Sequence, residues 1–254
     1  MRRSAASAVR AVTLDCWGTL LIDSPQSDDS RYRRQRLAVM QALLAASGIR
    51  VTFRDLDQAY GESGRRLAQI WQSRRDVPVS QHVTMLVEAL DPTLPERLDA
   101  ATMGALVRAY ASPALAVPPT ADEGARAALD DLAARGIGLG VVSNIMRTPG
   151  EVLRGIFARA GFLARFDVLT FSDECGIRKP DPEIFLLTLR KFGVSPEEAV
   201  HVGDDPILDV EGARDAGMGV IQVSANGRAT APVTPDAVIT RLSELPAALA
   251  RLRP

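Results

Sequence analysis

The sequence predicts an α/β fold, a parallel sheet flanked by helices, with an all-helical segment inserted near its start. Three observations carry that expectation. Short apolar runs each end in a polar residue, as buried parallel strands do when they deliver side chains to one sheet edge. Beyond residue 120 these runs alternate with amphipathic helical stretches, which implies right-handed crossovers between parallel strands. From residue 32 to about residue 110 strand-like runs are nearly absent and helical spacing takes over.

The first apolar run, Ala11 to Leu14, ends in Asp15 and continues Cys16-Trp17-Gly18-Thr19-Leu20-Leu21. Gly18 permits a tight turn just past the acid, and Thr19 supplies a hydroxyl for a bound oxyanion. Ser24 to Ser30 is a polar linker. Leu37, Met40, Leu43 and Leu44 then repeat at helical spacing, followed by Leu56, Tyr60, Leu67 and Trp71. Two further helical groups are Met85, Leu86 and Leu90, then Met103, Leu106 and Val107. A second linker runs from Ala111 to Thr120. After it the pattern predicts helices at 121–135, 151–160, 182–192, 209–216 and 242–252, with Gly136 and Gly161 as C-terminal stops. Strands are expected at 137–142, 168–171, 199–202 and 219–223. The expected core is residues 1–23 plus 116–254, ordered from about residue 9, and residues 24–115 form the insert.

The chain has 254 residues, 46% of them hydrophobic, and a net charge of −1, enough for one large domain or a core carrying an insertion. No apolar run reaches the ~20 residues of a membrane span. Residues 1–8 carry paired arginines with no apolar stretch behind them and read as a short tail, not a signal peptide. Two cysteines, Cys16 and Cys175, are too few for a disulfide framework, so a reducing cytoplasm is expected. Lysine occurs only at 179 and 191 in an arginine-rich chain, which suggests that a compact ammonium is wanted there.

The strand ends carry chemistry. Asp15 follows the first strand and Ser143-Asn144 the second; Lys179 lies in the loop after the third, and Asp204, Asp205 and Asp209 follow the fourth. A carboxylate, a hydroxyl, an ammonium and an acidic cluster are what phosphoryl transfer through an aspartyl intermediate requires. Asp15 and Asp204 suit Mg²⁺, which takes one or two carboxylates plus waters and substrate phosphate. Lys179 would hold Asp15 and the phosphoryl group as a point charge, and Ser143 would donate to a phosphoryl oxygen.

Over nearly its whole length the chain resembles the haloacid dehalogenase-like (HAD) hydrolase superfamily, in the branch whose helical cap lies between the first and second motifs. Asp15-Cys16-Trp17-Gly18-Thr19 matches the first motif, Ser143-Asn144 the second, Lys179-Pro180-Asp181-Pro182 the third, and Gly203-Asp204 through Asp209 the fourth. The resemblance implies a Rossmann-type parallel core and an inserted helical cap. It also implies Asp15 as nucleophile, Lys179 as charge balancer, and Mg²⁺ held by Asp15, Asp204 and the Trp17 backbone carbonyl. The implied substrate is a small phosphorylated metabolite.

One position departs from the pattern. Phosphatases of this family carry a second Asp two residues after the nucleophile, as general acid and base. Here Trp17 stands there, and an indole offers only an N–H. Losing a general acid/base typically costs about 10²–10⁴ in rate. Three readings follow: a phosphohydrolase with unusual acid chemistry, a low-turnover binder of phosphorylated ligands, or a 2-haloacid dehalogenase. Dehalogenases also place an aromatic residue at this position. They lack the acidic cluster of the fourth motif, however, and carry a Tyr where this chain has Phe185. Phosphonate-cleaving relatives need a cap lysine, and residues 24–115 contain none.

Other residues have plain readings. His201 is expected to be a structural, hydrogen-bonded histidine, while His82 is a candidate to approach the site from the insert. Cys16 and Cys175 read as small buried residues. Asp205 is an acid that supports the metal ligands from behind or a loop residue, and Asp209 a helix-starting carboxylate or an outer metal partner. Asn144 either binds the phosphoryl group or caps the next segment. Arginines crowd residues 31–75, and any of Arg33, Arg34 and Arg36 that face the cleft would steer anionic substrates. Aromatic interleaving and a basic balance are both missing, which argues against nucleic acid. The oligomeric state is left open.

Overall fold

The computed structural model describes residues 8–23, 29–225, 227–228 and 232–252. The expected tail, apart from its last residue, and linker positions 24–28 lie outside them. In chain order, β1 (Ala11–Leu14) and β2 (Leu21–Ile22) precede the helices α1 (Asp29–Ala46), α2 (Phe53–Gln72), α3 (Val79–Leu90), α4 (Leu94–Arg97), α5 (Ala100–Ala111) and α6 (Pro113–Ala116). The chain returns through β3 (Thr120–Ala121), α7 (Ala125–Ala134), β4 (Gly138–Ser143), α8 (Gly150–Ala160), β5 (Val168–Phe171), α9 (Ser172–Cys175) and α10 (Pro182–Phe192). Then come β6 (Ala199–Gly203), a π-helical turn at Pro206–Glu211, α11 (Gly212–Asp215), β7 (Gly219–Val223), β8 (Ala237–Ile239) and α12 (Leu245–Arg251).

Six strands form one sheet in the order β5-β4-β1-β6-β7-β8, and every pairing is parallel. β1 is fully buried and sits where the strand order reverses, so the crevice beyond its carboxyl end is the natural ligand position. The expected strands fall within about one residue of those observed, because two-sided burial makes each a continuous apolar run. β8 was not expected, since three residues are too few to set a period. The β2–β3 pair is antiparallel and joins the two ends of the helical segment. Its two-residue strands fall below any periodic signal. The helix expected at 182–192 is found at those bounds, the other core helices begin one to four residues from their expected starts, and α4, α6 and α9 are single turns that periodicity does not register.

The helical segment has its own apolar contacts, with Leu37, Met40, Leu56, Leu67, Leu86 and Leu106 buried at the expected spacing. The capping box of Thr52 and Asp55 starts α2. No described helix is long and apolar enough to cross a membrane.

Candidate active site

Register explains why the acids meet. β1 is flanked by β4 and β6, so Asp15, Ser143 and Asp204 leave adjacent strands at the same sheet edge. Ligand oxygens of Asp15, Asp204 and Asp209 lie within 4.8 Å of one another. Two glycines make this approach possible. Gly18 has φ +71°, and a Cβ there would sit 2.4 Å from Asp204 Oδ2. A Cβ at Gly203 would sit 2.2 Å from the Asp209 carboxyl carbon.

Lys179 is buried between two carboxylates. Its Nζ lies 2.8 Å from Asp15 Oδ1 and 2.5 Å from Asp209 Oδ1. The Asp15 contact sets a full positive charge directly against the buried carboxylate. Burial and the Asp209 charge raise the Asp15 pKa, and Lys179 offsets only part of that. Burial also works against the Lys179 charge, but Asp15 and Asp209 outweigh it and its pKa is raised.

Asp209 is fully buried and does not line the cleft. It accepts hydrogen bonds from Lys179, from His201 Nε2 (3.0 Å) and from the Asp205 backbone N–H (3.0 Å). Burial alone would raise its pKa, but the Lys179 charge and the His201 contact hold it well below the usual carboxylate range. His201 reaches Thr13 Oγ1 through Nδ1 at 2.8 Å, across paired positions of β1 and β6. His201 is thus hydrogen-bonded inside the fold, as the sequence reading expected. The π-helical turn, where the Val210 N–H reaches back five residues to the Asp205 carbonyl, accompanies this inward placement of Asp209.

Asp204 is half-buried, and its pKa is pushed up to about 7, first by burial and then by the charges of Asp15 and Asp209. Asp15 and Asp204 face the cleft with Asp209 close behind them, three carboxylates against one lysine, and the two cleft-facing acids are a donor set that fits a hard divalent cation. Asp205 lines the cleft, but its Oδ1 caps the following turn by accepting from the Ile207 and Leu208 N–H groups, both at 2.8 Å.

The remaining predicted residues separate. Ser143 lines the cleft with a buried hydroxyl that has no hydrogen-bond partner. Asn144 lines the cleft but spends its amide on the lysine loop, donating to the Lys179 carbonyl (3.0 Å) and accepting from the Lys179 N–H (2.8 Å). Thr19 is fully buried, lies off the cleft wall and donates to Asp204 Oδ1 over 3.5 Å, so its hydroxyl braces an acid. Trp17 is half-buried on the cleft wall, and the Gly18 N–H bonds the Leu21 carbonyl at 2.8 Å to close the turn. Phe185 is buried against the His201 ring, 4.9 Å between centroids. His82 does not line the cleft; it is buried edge-on to Trp71 and Tyr110.

The cleft encloses about 630 Å³ and runs from Asp15 and Lys179 to Tyr32, Arg33, Arg36 and Tyr60 of the helical segment. Arg34 is exposed and is not part of its wall. Sequence reading passed over Arg147 and Arg178, which also line it. Both stand within four residues of a recognised motif, the only local signal they carry.

A family model for haloacid dehalogenase-like hydrolases matches residues 9–217. The chain belongs to that family. It is 38% identical over 122 residues to phosphoserine phosphatase of Thermus thermophilus, covering 48% of each chain. The chain spans about half the length of the curated relatives it first matches. Among solved structures, this HAD-like hydrolase is similar to 2-haloacid dehalogenase from Pseudomonas syringae, with a TM-score of 0.68 and 27% identity over 96% of this chain and 99% of that one. It is also similar to a HAD phosphatase from Thermococcus onnurineus, with a TM-score of 0.62 and 27% identity over 97% and 100% of the two chains.

Proposed function

We propose that this HAD-like hydrolase is a Mg²⁺-dependent phosphohydrolase acting on a small phosphorylated metabolite. The acid cluster carries the reading: Asp204 stands beside Asp15 and Asp209, its pKa raised to about 7 first by burial and then by those two charges, and a divalent cation would offset both. Asp15, Asp204 and the Trp17 carbonyl would hold Mg²⁺, which when bound neutralises charge on the transferring group.

A carboxylate oxygen of Asp15 attacks phosphorus, an O–P bond forms, and the ester O–P bond breaks with its electron pair leaving on oxygen. Lys179 balances the Asp15 charge while Asp209 fixes its ammonium. The free Ser143 hydroxyl donates to a phosphoryl oxygen. Water then attacks the acyl phosphate, releasing phosphate and restoring Asp15. With Trp17 in place of a carboxylate, the departing oxygen leaves unprotonated. In this reading residues 1–23 and 116–254 are the catalytic core, residues 24–115 are a cap over it, and the enzyme works in the cytoplasm.

Two observations favour a second reading. An aromatic residue beside the nucleophile, together with 27% identity to a 2-haloacid dehalogenase structure, supports halide displacement, which needs no proton donor. The acid cluster argues against it, because it sets negative charge where a carboxylate substrate would bind.

The test is to trap the intermediate. The protein is mixed with acetyl phosphate and Mg²⁺, acid-quenched, digested and analysed by mass spectrometry. A phosphoryl adduct on the Asp15 peptide, lost in Asp15→Asn, is expected. Turnover by Asp15→Asn at the wild-type rate, with no adduct, would overturn the assignment.

A further inference from the structure

The cleft wall holds cations that the chemistry at Asp15 does not use, Arg33 and Arg36 from the helical segment and Arg147 from the loop after β4. Arg33 and Arg147 lie over the Tyr60 ring, with guanidinium carbons 4.8 and 5.1 Å from its centroid. Arg36 lies between Tyr32 and Tyr110, 5.8 and 5.5 Å from their centroids. Arg33 is paired with Asp57 at 2.8 Å. The other two are not matched in this way.

Arg36 is the informative one. Its side chain is 1% exposed, and its Nε donates to the Tyr110 carbonyl at 2.7 Å. Its Nη1 is buried with no hydrogen-bond partner, and its carboxylate contact, Asp29, is 3.7 Å away on a side chain that is 82% exposed. A buried guanidinium nitrogen without an acceptor is costly, and the side chain borders the cleft where an acceptor can arrive. Arg147 donates to Tyr60 Oη and to the Met146 carbonyl, both neutral, and has no ion pair among the described residues. Tyrosine faces hold both guanidiniums in place beforehand, so little side-chain entropy is lost when an anion binds. A phosphoryl group at Asp15 already has Lys179 and Ser143.

We propose that Arg36 Nη1 and the Arg147 guanidinium form a subsite for a second anionic group of the substrate, remote from the group transferred at Asp15. This rests on the phosphohydrolase reading and specifies its substrate class: small dianchored molecules carrying a carboxylate or a second phosphate besides the phosphoryl group that leaves. Both anions present oxygens that a guanidinium nitrogen can reach.

The probes are non-hydrolysable. Binding of ω-phosphonocarboxylates of increasing chain length is measured by calorimetry in Mg²⁺ buffer, each against its primary amide and the corresponding bisphosphonate. For one chain length, the acid or the bisphosphonate is expected to bind at least about ten-fold tighter than the amide. Preference for the acid identifies a carboxylate subsite, and preference for the bisphosphonate a phosphate subsite. Arg36→Gln and Arg147→Gln should each shrink the advantage several-fold while leaving amide affinity unchanged. Because Arg36 is buried, its variant is first checked for a cooperative melt; if it does not fold, the wild-type comparison and Arg147→Gln decide. Equal affinities for acid, bisphosphonate and amide at every length, or no binding of any probe, would overturn the subsite. Failure to hydrolyse any phosphate ester instead overturns the underlying reading, a separate measurement on the same protein.

Discussion

Asp76 and Arg178 form a buried ion pair at 2.6 Å, with Asp76 from the turn between α2 and α3 and Arg178 from the residue before Lys179. Trp71 donates its indole N–H to Asp76 at 2.9 Å and stacks over Arg178, 4.3 Å from guanidinium carbon to ring centroid. Arg178 also donates to the Ile145 carbonyl, and its backbone N–H bonds the Arg74 carbonyl. The helical segment is therefore fastened to the loop that carries the lysine. Asp76→Ala leaves a buried guanidinium without its counter-charge and is expected to cost about 3–5 kcal/mol. Urea unfolding checks this, and a loss under about 1 kcal/mol would contradict it.

Gly18→Ala tests how Asp204 is seated. The left-handed φ costs about 1–2 kcal/mol for any residue with a Cβ, and that Cβ would meet the Asp204 carboxylate. Mg²⁺ affinity by calorimetry should fall by at least about ten-fold. Unchanged affinity would mean that Asp204 is not a ligand.

Much of the site was legible because it sits on a sheet edge. Asp15, Ser143 and Asp204 each end an apolar run, so local pattern alone aligned them. Lys179 stood out as a rare ammonium. What escaped was pairing across distance. Nothing near Arg178 in sequence points to Asp76, 102 residues away, and nothing near Arg36 points to the Tyr110 carbonyl. Thr19 read as an anion ligand because its position follows the turn, yet the turn buries its hydroxyl against Asp204. Arg34 and Arg36 looked equivalent on composition, and helix phase separates them, one exposed and one buried.

His82 gives the fold an acid limb. Burial, aided by the Arg147 charge, pushes its pKa down to about 4 from an ordinary 6.5. The unfolded chain binds this proton first, so the stability is present above pH 6.5 and is lost as pH falls through about 4, an amount of about 3 kcal/mol. Asp204 works in the other sense: its stabilising contribution is present at low pH and lost as pH rises through about 7. Denaturant unfolding at pH 7 and pH 4 should show a smaller acid-induced loss for His82→Phe than for wild type. Equal losses would contradict the assignment.

On the proposed mechanism, Trp17 should make turnover depend on the leaving group. Acyl and aryl phosphates should be cleaved far faster than alkyl phosphates, whose alkoxides leave poorly without a proton. Trp17→Asp should raise alkyl phosphate hydrolysis by about ten-fold or more. Trp17→Ala should not, unless the indole acts only by filling the leaving-group pocket. Equal wild-type rates on acetyl phosphate and an alkyl phosphate would show that another group supplies the proton.

The acid cluster is the centre of the account, and one paired assay addresses it. Phosphate release from an aryl phosphate and halide release from 2-chloropropionate are followed side by side, with Mg²⁺ and with a chelator. Phosphate release should require Mg²⁺ and disappear in Asp204→Asn, with no halide released. Halide release that is indifferent to the chelator, without phosphate release, would contradict it.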